Sequence, residues 1–452
     1  MKKNFWSFIA VLLAALLVSV TAAQAADISF GGQILNRAEV VEGAGNAAGT
    51  TDGDASDWQI GERLRLNTTA KASGITAFVQ LQAVNAWGTE TWLDPDDGTG
   101  VDQSGNSASA VGVHQANITI PNLYGSGLNM KLGRQEIVLD GHRIFGHTGW
   151  HLNAVTHDAA VLVHPGMDLT YAYSFADEHN SDGTNAQQDI TAHVVRKGLS
   201  LAGGKTAIYF VAADNANGSD RQNWYTAGIR QAGKVGGYDY RVEYYNQFGT
   251  IAPATTNEGG TGTWIGGANA DMDAYMFGAR IGKKVNNTKV TLWYDYLSGN
   301  DDGDAANNDW GAFHTLGDTG HKFYGLIDNF VNAAGARTDY LGLQDYAVKI
   351  VHPIAPGWTL KADYHYFLTA EDPGDNLVAW VGENGGTNST CDCSEPELGD
   401  EIDLTLKHKY NPNLNIQFGY SWFNGSQTFH NIDSNADNRA NHWLYAQADF
   451  KF

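Results

Sequence analysis

Cysteine, proline and positive charge are all scarce in this chain, and after its first residues so are long apolar runs. The two cysteines, Cys391 and Cys393, stand one residue apart and cannot staple 452 residues together. A disulfide framework is therefore excluded as the origin of the fold. The nine prolines form no Pro-rich tract and no Gly/Ser linker divides the chain, so its texture is that of one domain. Lys and Arg total 28 against 50 Asp and Glu, a net charge of −22. Nucleic acid is excluded as a partner, because phosphate contacts need concentrated Lys and Arg. Beyond residue 26 no run approaches the roughly 20 consecutive apolar residues that a membrane-spanning helix requires.

The N-terminus is of a different kind. Lys2 and Lys3 precede an almost unbroken apolar stretch over residues 8–20, which ends at Ala23-Gln24-Ala25. This is the pattern of a secretory signal peptide, 1–25, cleaved before Ala26. Residues 26–452 then read as one domain.

In that domain the hydrophobic period is two. His442, Leu444, Ala446, Ala448, Phe450 and Phe452 alternate with Trp443, Tyr445, Gln447, Asp449 and Lys451. Leu414, Ile416, Phe418, Tyr420 and Trp422 repeat the pattern, as do Ile402, Leu404 and Leu406 against Glu401, Asp403, Thr405 and Lys407. Segments with one apolar and one polar face are strands with two different environments. Such segments predict 18 strands, near 27–41, 58–72, 75–87, 111–121, 128–138, 156–164, 168–177, 188–195, 205–213, 222–231, 238–248, 271–281, 288–298, 338–351, 358–369, 399–410, 414–424 and 440–452. Most are near the ~9–11 residues needed to cross a bilayer at a tilt.

Connections alternate between short turns, such as Ser73-Gly74 and Pro165-Gly166-Met167, and long pieces, such as 88–110, 249–270, 299–337 and 370–398. Short turns on one side and long loops on the other define an all-β transmembrane antiparallel barrel with both chain ends in the periplasm. Closure follows from solvation, since an unpaired strand edge in hydrocarbon costs several kcal/mol per backbone group. Trp87, Tyr124, Tyr296, Trp358, Tyr410 and Trp422 near strand ends suit the interfacial girdles. The expected surroundings are outer-membrane lipid and lipopolysaccharide of a Gram-negative cell.

A barrel of this size holds an aqueous lumen unless loops fill it. Strand parity points Arg37, Arg63, Arg65, Lys131, Arg230, Arg241, Arg280 and Lys361 inward, together with Glu39, Asp239, Glu243, Asp295, Asp363, Glu401 and Asp403. Arg134 interrupts an apolar set and is expected in the channel or at a bulge, because a lipid-facing arginine costs roughly 2–4 kcal/mol at mid-depth. Arginines in a constriction attract and orient carboxylates; the same arginines also serve as partners for the inward acids. The cluster His142, His147, His151 and His157 belongs to a loop that folds into the pore mouth. No nucleophile elbow or phosphate loop accompanies it, and no enzymatic activity is expected.

The loops are acidic. Asp301, Asp302 and Asp304 make a weak Ca²⁺ candidate that lacks the spaced Glu of the full calcium loop, and the plainer reading is a solvated anionic surface. Cys391 and Cys393 are two potential soft-metal ligands without the usual four-ligand set, so a short-range disulfide is the simpler role. No cofactor is otherwise expected.

The segment Leu132-Gly133-Arg134-Gln135-Glu136, with Asp140-Gly141-His142-Arg143 and Trp150, resembles the alginate export family of outer-membrane proteins. So do His321-Lys322-Phe323-Tyr324-Gly325, Leu398-Gly399-Asp400-Glu401-Ile402-Asp403-Leu404, Gly419-Tyr420-Ser421-Trp422-Phe423 and Trp443-Leu444-Tyr445-Ala446-Gln447. The resemblance implies an 18-stranded barrel with an arginine-rich constriction passing an anionic polysaccharide, and it makes Arg134 and Arg143 the foremost constriction residues. The expected function is an outer-membrane channel for small or linear hydrophilic, anionic solutes, such as an acidic polysaccharide or organic acids. The alternatives are a barrel sheathing a periplasmic or haem-bearing partner, and a surface-binding module with acidic loops.

Overall fold

The computed structural model describes residues 26–42, 57–87, 111–177, 189–201, 203–217, 220–251, 270–301, 309–331, 338, 340–373, 395–432 and 441–452. Its strands in chain order are β1 (Asp27–Glu42), β2 (Asp57–Ala72), β3 (Ile75–Ala86), β4 (Gly112–Ile120), β5 (Asn129–Gln135), β6 (His157–His164), β7 (Leu169–Asp177), β8 (Asp189–Leu201), β9 (Gly204–Asn217) and β10 (Asp220–Val235). They continue with β11 (Tyr238–Ile251), β12 (Ala270–Val285), β13 (Thr288–Leu297), the two-residue β14 (Asp309–Trp310), β15 (Leu343–Ala355), β16 (Trp358–Leu368), β17 (Glu397–Lys409), β18 (Leu414–Gly425) and β19 (His442–Lys451). Leaving out β14, which touches β12 in parallel, every strand pairs antiparallel with its neighbours. The sheet closes where β19 meets β1, from Gln33 opposite Lys451 to Glu42 opposite His442. The result is an 18-stranded antiparallel barrel.

The short connections, the start of β1 at Asp27 and the last residue, Phe452, lie at one rim. Ser73 and Gly74 adopt φ of 51° and 81°, and Gly236 and Gly237 adopt 56° and 82°. Paired positive φ values of this kind match the twist of the flanking strands in a two-residue hairpin. The predicted strand at 338–351 begins later, at Leu343, because Tyr340 and Gly342 take positive φ and bend the chain away from the ladder. The predicted 188–195 and 205–213 stop short of the ends of longer strands, Asp189–Leu201 and Gly204–Asn217, which extend past their apolar stretch.

The outer wall carries the apolar half of the alternation. Leu66, Val79, Leu81, Ile118, Ile208, Phe210, Ile229, Val242, Leu292, Val348, Leu404, Phe418 and Leu444 are all exposed there. Exposure on this scale is what a barrel presents to lipid. The inner wall is not uniformly polar. Along β12 the inward row is Ala270, Met272, Ala274 and Met276, all buried, and Ala172, Val194, Ala207, Tyr209 and Val211 continue it on β7 to β9. These side chains pack against Ile137, Leu139, Ile144, Phe145, Phe313, Phe323, Tyr324 and Phe330 from two connections folded into the barrel. A water-filled lumen is therefore replaced, over this sector, by a hydrophobic core.

Leu404 lies mid-strand on the outer wall and Thr405 beside it faces inward. Leu404→Arg is expected to destabilise the folded barrel by about 2–4 kcal/mol, whereas Thr405→Arg is expected to cost far less. Urea titration of protein folded in lipid vesicles checks the difference.

Candidate functional site

Two inward connections, 136–156 and 309–331, are joined to each other inside the barrel. Gly146 N donates to Gly317 O (2.7 Å), Gly317 N to Ile144 O (3.1 Å), and Thr319 N to His142 O (3.1 Å). Phe145 and Gly317 form an isolated parallel bridge. The close approach requires glycine, since a Cβ at Gly146 would run into the Thr319 side chain.

Chain removed from water in this way needs partners for its polar groups. Arginines of the barrel wall supply many of them. On β8 Arg196 grips Asp140 through two nitrogens (2.8 and 2.9 Å). On β1 Arg37 donates to Trp150 O (3.0 Å) and stacks over the Trp150 ring at 4.4 Å. On β2 Arg63 donates to the carbonyls of Gly149, His151 and Leu152 at 3.1–3.3 Å. Connection 136–156 is thus held at β8 on one side and at β1 and β2 on another, so it straps the lumen. The second connection is fixed by Glu401 of β17, which accepts from Leu326 N (2.6 Å) and Ile327 N (3.0 Å). Gly325, at φ 85°, leaves room for that carboxylate.

Arg143 lies at the centre. It is 3 % exposed and bonds to Asp295 of β13, to Glu243 of β11 (3.4 Å) and to the Tyr324 hydroxyl (2.6 Å), with Phe323 stacked at 3.7 Å. Burial disfavours its charge, but the two carboxylates outweigh that and hold its pKa well above the usual guanidinium value. Arg230, Arg241 and Arg280 surround the same Glu243 at 3.9, 3.5 and 3.7 Å. Four guanidinium groups thus share two carboxylates.

Beside the strap lies a cavity of about 620 Å³. Its cationic lining is Arg63, Arg65, Arg280, Lys322, Lys349, Lys361, Lys407 and Lys451, against Asp363, Asp403 and Asp449. His142, His147, His321, Trp150, Trp293 and Tyr445 complete the wall, with Arg280 stacked 2.9 Å from the Trp293 centroid. The volume lies within the range of small-molecule sites.

The residues expected in the channel have separate fates. Arg63, Arg65 and Arg280 reach the cavity; Arg143, Arg230 and Arg241 gather at the acidic pair beside it. Arg134 does not face the lumen. Its neighbour Gln135 is buried inward, and Arg134 projects from the outer face of β5, where Asp158 takes it at 3.0 and 2.8 Å. A bidentate partner near the long-loop end of the wall removes the lipid cost that argued for an inward position. Asp301 is exposed, while Asp302, Asp304, Cys391 and Cys393 lie outside the described residues. Among the described residues no group of three or more His, Cys, Asp or Glu is arranged to hold a metal. Arg196, Lys322 and Lys349 were not singled out from the sequence. Parity could have found Arg196 and Lys349; Lys322 sits in a connection where no period applies.

A closed antiparallel barrel with a lipid-facing apolar wall, loops folded inward and a polar cavity beside them is an outer-membrane channel of the porin type. The chain belongs to the alginate export family, whose match spans residues 27–442. No curated protein sequence matches significantly. Solved structures share the fold across nearly their whole length. Acinetobacter baumannii OccAB2 is 13% identical with a TM-score of 0.56, covering 94% of this chain and 98% of its own. Pseudomonas aeruginosa OccK9 (OpdG) is 12% identical with a TM-score of 0.55 over the same shares. Pseudomonas aeruginosa OpdK with vanillate is 11% identical with a TM-score of 0.50, again over 94% and 98%.

Two outcomes test the strap. Arg143→Ala leaves Glu243 and Asp295 only the longer contacts of Arg230, Arg241 and Arg280, and it is expected to cost about 3 kcal/mol, the lower end of the penalty for breaking a buried pair. Limited proteolysis should then cut within 136–156 faster than in the parent. Asp318, buried at the seam between the two connections, is pushed up by desolvation to about 7. A carboxyl whose folded pKa is raised stabilises fully below its unfolded value near 3.8 and loses that contribution as pH rises through about 7. Seam protection measured by hydrogen exchange should therefore weaken from about pH 4 to about pH 7 and level off above it, and Asp318→Asn should flatten the dependence.

Proposed function

We propose that this protein passes hydrophilic anionic solutes bearing carboxylates, organic acids or acidic sugar chains, along the sector between the strap and strands β1, β2 and β15–β19. The observation that carries the reading is the lining of the 620 Å³ cavity, rich in Lys and Arg in a chain whose net charge is −22. Cationic groups on low-dielectric walls focus the field and raise the local anion concentration, whatever the total charge of the molecule. Guanidinium and ammonium groups also match carboxylates by geometry and charge. Vanillate, present in the OpdK structure, is a small carboxylate of the kind such a lining accepts.

Purified protein in a planar bilayer under a KCl gradient is expected to show a reversal potential favouring chloride over potassium. Arg280→Gln should lower the anion-to-cation permeability ratio about sevenfold, since one charge at roughly 7 Å in water contributes about 0.6 kcal/mol in favour of the anion and as much against the cation. Arg134→Gln, on the outer wall, should leave the ratio unchanged. Cation preference in the parent protein would sink the reading.

A further inference from the structure

Pairing is the rule for cations on the inner wall. Lys349 meets Asp363 at 3.0 Å, Arg37 meets Glu39 at 2.9 Å, Arg65 meets Glu136 at 3.4 Å and Lys451 meets Asp449 at 3.3 Å. Lys361 and Lys407 break it, as do Arg63, Lys131 and Lys322, but Lys361 and Lys407 are cross-strand neighbours of each other. Lys361 stands opposite Thr405 and Lys407 opposite Thr359, so the two lysines are diagonal neighbours on adjacent strands. Long side chains reach one another at that separation. Both line the cavity near its short-turn end. Nearby carboxylates are engaged elsewhere: Asp363 by Lys349, and Asp403 by the Ser421 hydroxyl at 2.5 Å. Among the described residues neither lysine has an ion-pair partner.

Two like charges side by side, half withdrawn from water, repel each other unless an anion lies between them. A singly charged anion offsets one of them; a compact doubly charged one offsets both. The Thr405 hydroxyl between the lysines and the Gln417 amide opposite Lys407 add neutral hydrogen-bonding groups to the same shelf.

We infer that Lys361 and Lys407 form a discrete binding station for a compact oxyanion of charge −2, such as a sulfate or phosphate group, on the periplasmic side of the strap. The inference rests on the anion-channel reading and specifies a solute class within it. Bound dianion at this station occupies the path and slows the passage of singly charged ions.

The test is sulfate block of chloride current through single channels, with nitrate as the singly charged control. Sulfate should reduce the parent's current along a saturating curve, while nitrate should not. Lys361→Gln with Lys407→Gln should raise the half-blocking sulfate concentration about tenfold. The ratio of chloride to potassium permeability should stay above one, because Arg63, Arg65, Arg280 and Lys349 remain. Lys361→Arg with Lys407→Arg, which keeps both charges, should retain the block and serves if the neutral double variant inserts poorly. Absence of sulfate block in a parent channel that is anion-selective overturns the station and leaves the channel reading intact. Equal block in parent and glutamine variant also overturns the station, placing the dianion elsewhere. A cation-selective parent would overturn the reading beneath it.

Discussion

Every feature of this molecule depends on the need to keep backbone N–H and C=O groups paired where no water reaches them. In hydrocarbon the cost of an open sheet edge is several kcal/mol for each unpaired group. The ladder from Gln33–Lys451 to Glu42–His442 removes that edge by joining the last strand to the first. Once closed, the sheet sorts its side chains by parity alone, apolar toward lipid and the rest inward.

The same demand recurs inside. A connection folded into the lumen brings carbonyls and amides away from bulk water, and each must find a partner or stay wet. Arg37, Arg63 and Arg196 meet the strap's backbone and Asp140, while Glu401 takes two amides of the second connection. These charged side chains accordingly hold the loops in place first, and only the groups left over face solute. An inward arginine is thus two different things depending on whether a loop reaches it. Arg143 is spent on Glu243 and Asp295, whereas Arg280 lies in the cavity wall against the Trp293 ring.

The barrel was legible because period two survives in nearly every strand, and because a one-residue slip would turn the whole apolar set to the wrong side. Short turns marked by Gly and Asn fixed the rim. What the period cannot show is where a long connection goes. The apolar inward row Ala270, Met272, Ala274, Met276 makes sense only against Phe313 and Tyr324, which arrive from far along the chain. For the same reason parity shows Arg230, Arg241 and Arg280 as inward residues, and the family resemblance alone points to Arg143, but their sharing of Glu243 is not legible. The mid-depth lipid cost does not apply to Arg134, which lies near the end of its strand beside its cross-strand neighbour Asp158, 24 residues later in the chain. A neutralising partner across a ladder is invisible until the register is known.

Net charge and local field then separate cleanly. The chain carries −22, which taken as a whole argues against attracting anions. Yet the inner acids Glu243, Asp295 and Glu401 are already engaged by arginines and backbone amides. A charge already paired contributes little field at a distance, and exposed charges farther than about 8 Å are screened at physiological salt. The potential felt within the cavity is therefore set by the charged side chains that line it, and those are mainly lysine and arginine. A net acidic chain is compatible with the proposed attraction for anions because inner acids such as Glu243 and Asp295 are already paired, while lining cations face the cavity.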